Sequence, residues 1–382
     1  MIVSRLILKN WKNFQSVDVT LGPRVFLVGP NASGKSNLMD ALLFLQGIAG
    51  MRGGLQEAIQ DRGGLSQIRS LSAKKNAIVE IQIFLSDEDD VEPRWTYYLG
   101  IEENETTRPP RLIYEKVWEG ETQILSRPDE EDAKYPERLE QTYLEGKTSH
   151  QQFREVAAFV QSLQYHSFVP QLMQKPATFA GPETQDDPFG RKLLERIENT
   201  TPRVRAVRLK KIEAALQATV PQLEDLSLIW DEASRTPHLE TRFSHWLSGS
   251  RKQREDQFSE GTLRLIALFW SLLDDATSLL LLEEPEISLP ANVVRRLAAE
   301  IHSVQSRRKQ MRQVIISTHS FDLLSDLGIG GEEVLVLEPG PEGTTIRPAS
   351  SIPETKDLLE AGFSAGEAVL PRVERTLAQW KL

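Results

Sequence analysis

The stretch Gly29-Pro30-Asn31-Ala32-Ser33-Gly34-Lys35-Ser36 decides the fold of this chain. It has the pattern G-x-x-x-x-G-K-S, which is typical of a phosphate-binding loop, or P-loop. The apolar segment 24–28 before it predicts a buried strand, and residues 37–46 after it have the apolar periodicity of a helix. In that setting the backbone N–H groups and the helix N-terminus would hold phosphate oxygens. Lys35 would neutralise the β- and γ-phosphates, and the Ser36 hydroxyl would bind Mg²⁺.

The composition is that of a soluble globular protein. The chain has 382 residues, of which 40% are hydrophobic and 26% charged, enough for two or three lobes. Its net charge of −10 argues against general coating of nucleic acid, so DNA contacts would need local basic patches. Because there is no cysteine, disulfides, thiolate zinc sites and cysteine nucleophiles are excluded. No apolar run or signal-peptide pattern indicates a membrane or an export route, and we expect a cytoplasmic protein.

A second motif places carboxylates at the end of a predicted strand. The apolar segment 278–282 is followed directly by Glu283 and Glu284, and Glu286 lies two residues further on. Because the strand carries these groups to the sheet edge where the P-loop also lies, we expect Glu283 to hold the metal. Glu284 would polarise the attacking water, and Glu286 is interpreted as a neighbour. A strand that merely ends in a charged turn is the alternative, which the nearby P-loop disfavours.

Two further features complete the pattern. Ser259 and Gly261 form a turn before a helical segment, where Ser259 would cap the helix and the free N–H groups could bind a phosphate. These two residues are expected to grip the γ-phosphate of a nucleotide held by another subunit. His319 follows the apolar segment 313–317, from which it could reach a γ-phosphate or an attacking water. A plain capped helix and a structural histidine are the alternatives, and the order of the motifs favours catalysis.

This combination resembles the ABC-type ATPase heads of the RecF, SMC and OLD (overcoming-lysogenisation-defect) group. Residues 258–262 look like its S-[DG]-G-[TQ] signature, residues 283–286 like its E-E-P-E form of the Walker B motif, and His319 like its switch histidine. The turn at 10–14 resembles the one near the nucleotide base. The resemblance implies ATP and Mg²⁺ as ligands, Glu284 and His319 as catalytic residues, and a homodimer or higher homo-oligomer closed by ATP.

The predicted binding residues follow from the P-loop pattern and this resemblance. They are Gly29, Pro30, Asn31, Ala32, Ser33, Gly34, Lys35, Ser36, Asn37, Ser259 and Gly261. The predicted metal ligands are Ser36, Glu283 and Gln67, the last as the metal-linked glutamine, with a surface glutamine as the alternative interpretation.

Three positions depart from the pattern. Glu260 stands where the signature usually has Gly or Asp, Glu283 replaces the Asp of transporters, and Leu289-Pro290 replaces the usual His-Pro.

The predicted fold is α/β, a P-loop NTPase with a two-lobe ABC-type ATPase head that carries an inserted β-rich arm and a helical region. Five parts are expected. They are an N-terminal ATPase lobe with the P-loop (1–85), an acidic β-rich insertion (86–149), a helical region (150–254), a C-terminal ATPase lobe (255–345) and a tail (346–382). The acidic run 128–132 is expected to be a solvated loop.

Three functions remain open. The chain is too short between its motifs for SMC coiled coils, and residues 320–382 are fewer than the roughly 100 of a Toprim domain. It resembles the ATPase subunit of PARIS-type anti-phage systems, which implies a sensor and scaffold that controls a separate Toprim-like effector. The first alternative is a RecF-like DNA-binding ATPase of repair or recombination that uses the basic segments 203–211, 251–254 and 307–309. The second is a nucleotide-gated scaffold with negligible turnover.

Overall fold

A computed structural model describes residues 1–50, 54–74, 77–87, 92–103, 109–146, 151–175, 187–244, 250–274, 278–306 and 312–378. The described residues form fifteen strands in three sheets, and thirteen α-helices.

The first sheet is antiparallel and has six strands in the order β2-β1-β4-β5-β6-β7. Its strands are β1 (Ile2–Trp11), β2 (Phe14–Thr20), β4 (Val79–Ser86), β5 (Trp95–Glu102), β6 (Arg111–Glu119) and β7 (Thr122–Arg127). Buried and less buried residues alternate along β4, as in a sheet with one face on the core and one toward water.

The second sheet carries the P-loop and is mostly parallel. Its order is β15-β14-β3-β13-β12-β8, and only β15 runs antiparallel to its neighbour. The strands are β3 (Arg24–Val28), β8 (Gln164–His166), β12 (Leu279–Glu283), β13 (Gln313–Thr318), β14 (Val334–Gly340) and β15 (Gly343–Pro348). Because β3, β12 and β13 are parallel, the P-loop, the carboxylates and His319 leave the sheet at the same edge.

Thirteen helices surround these sheets within the described ranges. They are α1 (Lys35–Ala49), α2 (Gly54–Gln60), α3 (Leu65–Ile68), α4 (Glu130–Lys134), α5 (Arg154–Gln161), α6 (Pro170–Gln174), α7 (Leu193–Glu198), α8 (Pro202–Gln217), α9 (Glu260–Leu272), α10 (Ala291–Ser306), α11 (Phe321–Leu324), α12 (Pro353–Glu360) and α13 (Ala365–Ala378).

The second sheet is the central layer between two apolar cores. Along β3, Val25 and Leu27 point into the core shared with α1 and the first sheet. Phe26 and Val28 point into the core shared with α9 and α10. A strand that is buried on both faces has a continuous apolar sequence, which explains why residues 24–28 could be recognised.

The segment 150–254, predicted as a helical region, contains more than helices. It also forms an antiparallel sheet of β9 (Leu223–Asp231), β10 (Thr236–Ser244) and β11 (Ser250–Arg254), in the order β11-β10-β9. The missed signal is the alternation of Leu239, Thr241 and neighbouring polar residues in β10, where the two named side chains are buried. In addition, β8 belongs to this segment and pairs with β12 of the central sheet.

The prediction that the acidic run 128–132 forms a solvated loop is wrong at Asp132. Residues Glu130–Lys134 form α4, whose N-cap Asp129 accepts a hydrogen bond from the Asp132 N–H. The Asp132 carboxylate is buried and accepts two hydrogen bonds of 3.0 Å from the Arg127 guanidinium. The same guanidinium donates to Glu115 over 3.0 Å. Because Arg127, five residues earlier in the chain, pairs with it, the cost of burying the Asp132 carboxylate is offset.

Candidate nucleotide-binding and catalytic site

The P-loop joins β3 to α1, as predicted from its flanking patterns. A side chain at Gly29 would place its Cβ 2.7 Å from the carbonyl oxygen of Leu337. Gly34 has a φ of 103°, and a Cβ there would lie 2.2 Å from the amide nitrogen of Asn13. Both glycines are therefore required by the close approach of neighbouring groups, and Gly34 also by its left-handed backbone.

Lys35 is buried beneath the loop that precedes it. Its Nζ donates hydrogen bonds to the carbonyl oxygens of Gly29 at 2.9 Å and Pro30 at 3.2 Å. Burial lowers the pKa of Lys35, and the carboxylates of Glu284 and Glu283 partly oppose that shift. The ammonium group is thus held in place next to the loop, where it is suited to an anionic ligand.

Asn13 connects the P-loop to two other segments. Its amide nitrogen donates to the carbonyl oxygen of Ser33 and to Thr344 Oγ1, each over 2.8 Å. Its amide oxygen accepts a hydrogen bond of 2.8 Å from Asn37, which was predicted as a binding residue. The turn at 10–14 therefore braces the loop through a side chain, a role that the sequence pattern did not indicate.

Two of the three predicted metal ligands, Ser36 and Glu283, meet in the structure. The Ser36 hydroxyl donates to one carboxylate oxygen of Glu283, and the Tyr165 hydroxyl donates to the other. A hydroxyl and a carboxylate converging on one point fit Mg²⁺, which takes oxygen ligands and keeps phosphate and water in its other positions. Within the described part of the chain, no cluster of three or more His, Cys, Asp or Glu could hold a metal alone.

Glu284 and His319 also contact each other. His319 Nδ1 lies 3.0 Å from Glu284 Oε1, and the histidine side chain is mostly exposed. Glu284 has a φ of 43°, and its N–H donates to the carbonyl oxygen of Ser317 over 3.0 Å. This left-handed residue turns the chain at the end of β12, so that consecutive glutamates contact different partners.

Glu286 is more deeply buried than its neighbours in the motif. One of its carboxylate oxygens accepts a hydrogen bond from Thr318, and the other has no partner among the described residues. Burial raises the pKa of Glu286, although the hydrogen bond from Thr318 opposes the rise.

The signature turn forms the N-terminus of α9. Ser259 caps this helix and accepts a hydrogen bond of 3.2 Å from the Thr262 N–H, which confirms the predicted cap. A Cβ at Gly261 would lie 2.8 Å from the carbonyl oxygen of Ser288, so the turn packs closely on the segment after the acidic strand. Ser259 is exposed, and no hydrogen bond in the described ranges joins this turn to Lys35 or Ser36 of the same chain.

Residues 24–326 match the family described as "AAA domain, putative AbiEii toxin, Type IV TA system". The chain belongs to this AAA family. Like the P-loop itself, membership indicates a nucleotide-binding protein of ATPase type.

Short stretches of this AAA-family chain also resemble RecF, described as a DNA replication and repair protein. The Actinobacillus pleuropneumoniae serotype 5b protein is 48% identical over 46 residues, 12% of this chain and 13% of that protein. The Halalkalibacterium halodurans protein is 32% identical over 88 residues, 22% of this chain and 24% of that protein. The chain therefore matches less than a quarter of the length of these relatives.

Solved SMC heads share the fold over nearly the whole chain. A structure of an SMC head bound to the C-terminal winged-helix domain of ScpA has a TM-score of 0.54 at 16% identity, covering 91% of this chain and 98% of that one. The *Pyrococcus furiosus* SMC head with an extended coiled coil has a TM-score of 0.50 at 14% identity, covering 94% and 98%. The predicted fold, a P-loop NTPase with an ABC-type ATPase head, is confirmed.

The third predicted metal ligand of this AAA-family chain is Gln67. Gln67 is exposed on the short helix α3, and no hydrogen bond between described residues connects it to Ser36 or Glu283. Its assignment as a metal-linked glutamine stays a prediction. Tyr165 is the side chain that contacts Glu283, and it was missed because β8 has only three residues within a helix-rich segment.

The basic segments are only partly available for a ligand. On α8, Arg205 donates to the carbonyl oxygen of Glu198 over 3.1 Å, and Arg208 lies over the Trp270 ring and 3.7 Å from Asp274. The exposed basic side chains of that helix are Arg203, Lys210 and Lys211. Lys252 and Arg254 form ion pairs with acidic residues, and 307–309 lies outside the described residues. None of the described helices is long and apolar enough to cross a membrane.

Proposed function

We propose that this protein binds and hydrolyses ATP, and that two copies close head to tail around the nucleotide. The observation that carries the proposal is the meeting of three contacts at one sheet edge. Lys35 is held beneath the P-loop, Ser36 contacts Glu283, and Glu284 contacts His319. These are the groups that a phosphoryl transfer to water requires.

Each group has a distinct task in this proposal. The P-loop N–H groups and Lys35 bind the β- and γ-phosphates. Magnesium, held by Ser36 and Glu283, would supply charge neutralisation at the phosphate oxygens when bound. Glu284 accepts a hydrogen bond from the attacking water and polarises it. His319 orients the Glu284 carboxylate through the contact already present between them.

The signature turn supports the head-to-tail arrangement. A capped helix N-terminus presents free N–H groups and a positive dipole end, which suits a phosphate. Here Ser259 is exposed and the turn lacks, among the described residues, a hydrogen bond to the P-loop side chains of its own chain. A second copy would bring this turn to the γ-phosphate, and two equivalent sites would form.

In the cell, we propose a cytoplasmic sensor and scaffold of an anti-phage defence complex that controls a separate, Toprim-like effector. The family description, a putative toxin of a type IV toxin–antitoxin system, supports a role in a system of more than one component. Slow hydrolysis would suit a switch that remains closed until it is triggered.

A RecF-like role in DNA repair or recombination is the second candidate, favoured by the RecF stretches and by the exposed basic side chains of α8. It predicts DNA binding that weakens steeply with salt and that falls when Lys210 and Lys211 are replaced by alanine. Co-purification of an effector that withstands nuclease treatment would instead support the defence role.

The enzyme test uses two variants. Glu284→Gln should lower the hydrolysis rate about 10²- to 10⁴-fold while ATP stays bound and the closed dimer accumulates. Ser259→Arg should abolish hydrolysis without loss of nucleotide binding, since it blocks only the contact with the second copy. Rates are measured by phosphate release and dimers by light scattering, with Glu119→Gln at an exposed site as control.

Two outcomes would decide against parts of this proposal. Full activity of Ser259→Arg would exclude the head-to-tail site. ATP-dependent dimerisation of the unaltered protein without measurable turnover would show a nucleotide-gated scaffold in place of an ATPase.

A further inference from the structure

The Glu283 carboxylate is held at both of its oxygens. One accepts the hydrogen bond from Ser36, and the other accepts the hydrogen bond from the Tyr165 hydroxyl. Tyr165 lies on β8, the edge strand that pairs in parallel with β12, and it sits opposite Leu281 in that register. The tyrosine and the carboxylate therefore approach each other across two neighbouring strands.

The contact with Tyr165 restricts the Glu283 side chain, which is longer and more flexible than an aspartate. Its side chain has one methylene and one rotatable bond more than the aspartate of transporters, so its carboxylate reaches further and can turn more freely. Tyrosine has few rotatable bonds, and Tyr165 is half-buried and packed against the core beneath the P-loop helix. A rigid phenol thus restricts a flexible acid.

The Tyr165 hydroxyl is also suited to remain a donor. In the structure the phenol O–H donates to one carboxylate oxygen of Glu283, and that oxygen is the acceptor.

We propose that Tyr165 is a positioning residue for the metal-binding carboxylate of Glu283. By holding one oxygen, it turns the other toward the Ser36 hydroxyl, where the two ligands can share one cation. The inference rests on the proposed nucleotide site and adds a residue that no motif contains. It predicts that the loss of one hydroxyl weakens metal binding while leaving the P-loop intact.

The first experiment measures metal binding directly. Tyr165→Phe removes only the hydroxyl, and Tyr114→Phe is a matched control because Tyr114 is also half-buried and has its pKa raised by burial and by Glu80. Mn²⁺ is titrated in the presence of a non-hydrolysable ATP analogue and followed by electron paramagnetic resonance. We expect affinity on the order of tenfold weaker for Tyr165→Phe and unchanged for Tyr114→Phe.

A second measurement separates positioning from general structural damage. Binding of a fluorescent ATP analogue in excess EDTA reports the P-loop without metal, and it should be the same in Tyr165→Phe and the unaltered protein. In steady-state hydrolysis the Mg²⁺ concentration for half-maximal rate should rise, whereas the KM for ATP at saturating Mg²⁺ should not.

A double-mutant cycle tests whether Tyr165 acts through Glu283. Glu283→Asp shortens the acid and draws it away from the phenol, so adding Tyr165→Phe to it should weaken Mn²⁺ binding little further. Additive losses would overturn the inference, as would Mn²⁺ affinity in Tyr165→Phe equal to that of the unaltered protein. An unaltered protein that binds no nucleotide would overturn the proposed function and this inference together.

Discussion

Two sets of buried charged side chains in this molecule differ in their pairing. Around β6, β7 and α4, the residues Arg127, Glu115 and Asp132 are at most 1% exposed, and the guanidinium donates to both carboxylates over 3.0 Å. Near the signature turn, Arg264 and Glu286 are each 7% exposed. Among the described residues, no hydrogen bond or ion pair joins these two, and Arg264 Nε and Glu286 Oε2 have no partner.

The difference separates a region with a structural role from one that belongs to the proposed site. A buried charge with all its partners holds its surroundings in one arrangement, whereas an unpaired one opposes folding. Burial lowers the pKa of the Arg264 guanidinium, and the carboxylates of Glu260 and Glu286 only partly oppose this. Proteins tolerate such violations mainly at functional sites. Here the two incompletely paired groups lie on the signature helix and in the acidic turn, which are the two segments on which closure of the proposed dimer would act.

The largest expected effect comes from breaking the paired set. Arg127→Met leaves Glu115 and Asp132 buried without their cation, and it should lower the free energy of unfolding by about 3–5 kcal/mol. The control is Arg5→Met, which breaks the exposed ion pair with Asp18 and should cost about 1 kcal/mol or less. Urea unfolding measures both. Equal losses in the two variants would show that the ion pairs of Arg127 with Glu115 and Asp132 contribute no more to stability than a surface pair.

A smaller effect of the opposite kind is expected at the unpaired set. Arg264→Met removes a buried cation whose Nε has no hydrogen-bond partner among the described residues, so the free energy of unfolding should stay unchanged or rise by about 1 kcal/mol. The same urea experiment applies. A loss as large as that of Arg127→Met would mean that Arg264 is satisfied in solution, and the contrast between the regions would disappear.

The smallest effects are differences in pH dependence. Although burial acts to raise it, hydrogen bonds from Arg127 lower the pKa of Asp132 below its usual 3.8. Ionised Asp132 therefore adds stability above that pH, and this is lost as the pH falls through the folded-state pKa. The pKa of Glu286 is raised above its usual 4.5, so its contribution is present below that pH and is lost as the pH rises through the folded-state value.

Two amide variants test these signs. The stability advantage of the unaltered protein over Asp132→Asn should grow as the pH rises from about 3 to 5. Its stability relative to Glu286→Gln should instead decline above about pH 4.5. Denaturant midpoints across this range measure both differences. Slopes of the same sign would contradict the assignment of opposite pKa shifts.

The central sheet was predictable because its signals are local and continuous. The strand predicted at 24–28 is β3 (Arg24–Val28), and the helix predicted at 37–46 lies within α1 (Lys35–Ala49). Strands buried on both faces leave uninterrupted apolar runs, and a phosphate-binding loop needs glycine where the backbone is crowded. The contact between Glu284 and His319 was also predictable, because parallel strands bring their ends together.

The rest depended on partners distant in sequence. Nothing local marks Tyr165 as a neighbour of Glu283, because β8 exists only through its pairing with β12. Asp132 lies in an acidic run that looks solvated, but its carboxylate accepts hydrogen bonds from the Arg127 guanidinium, which also binds Glu115. Asn13 was placed near the nucleotide base by resemblance, but its bonds to Ser33 and Thr344 arise from tertiary packing.

The position of β3 in the central sheet has a consequence for synthesis on the ribosome. Both of its neighbours come from the far end of the chain, since residues 24–28 pair with β13 and β14. The nascent chain folds from its N-terminus, but such pairings wait for their distant partner and close a long loop. Partial chains that already contain the G-x-x-x-x-G-K-S motif hold it on an unpaired strand. Only chains that have been synthesised beyond β14 can therefore assemble the phosphate-binding geometry.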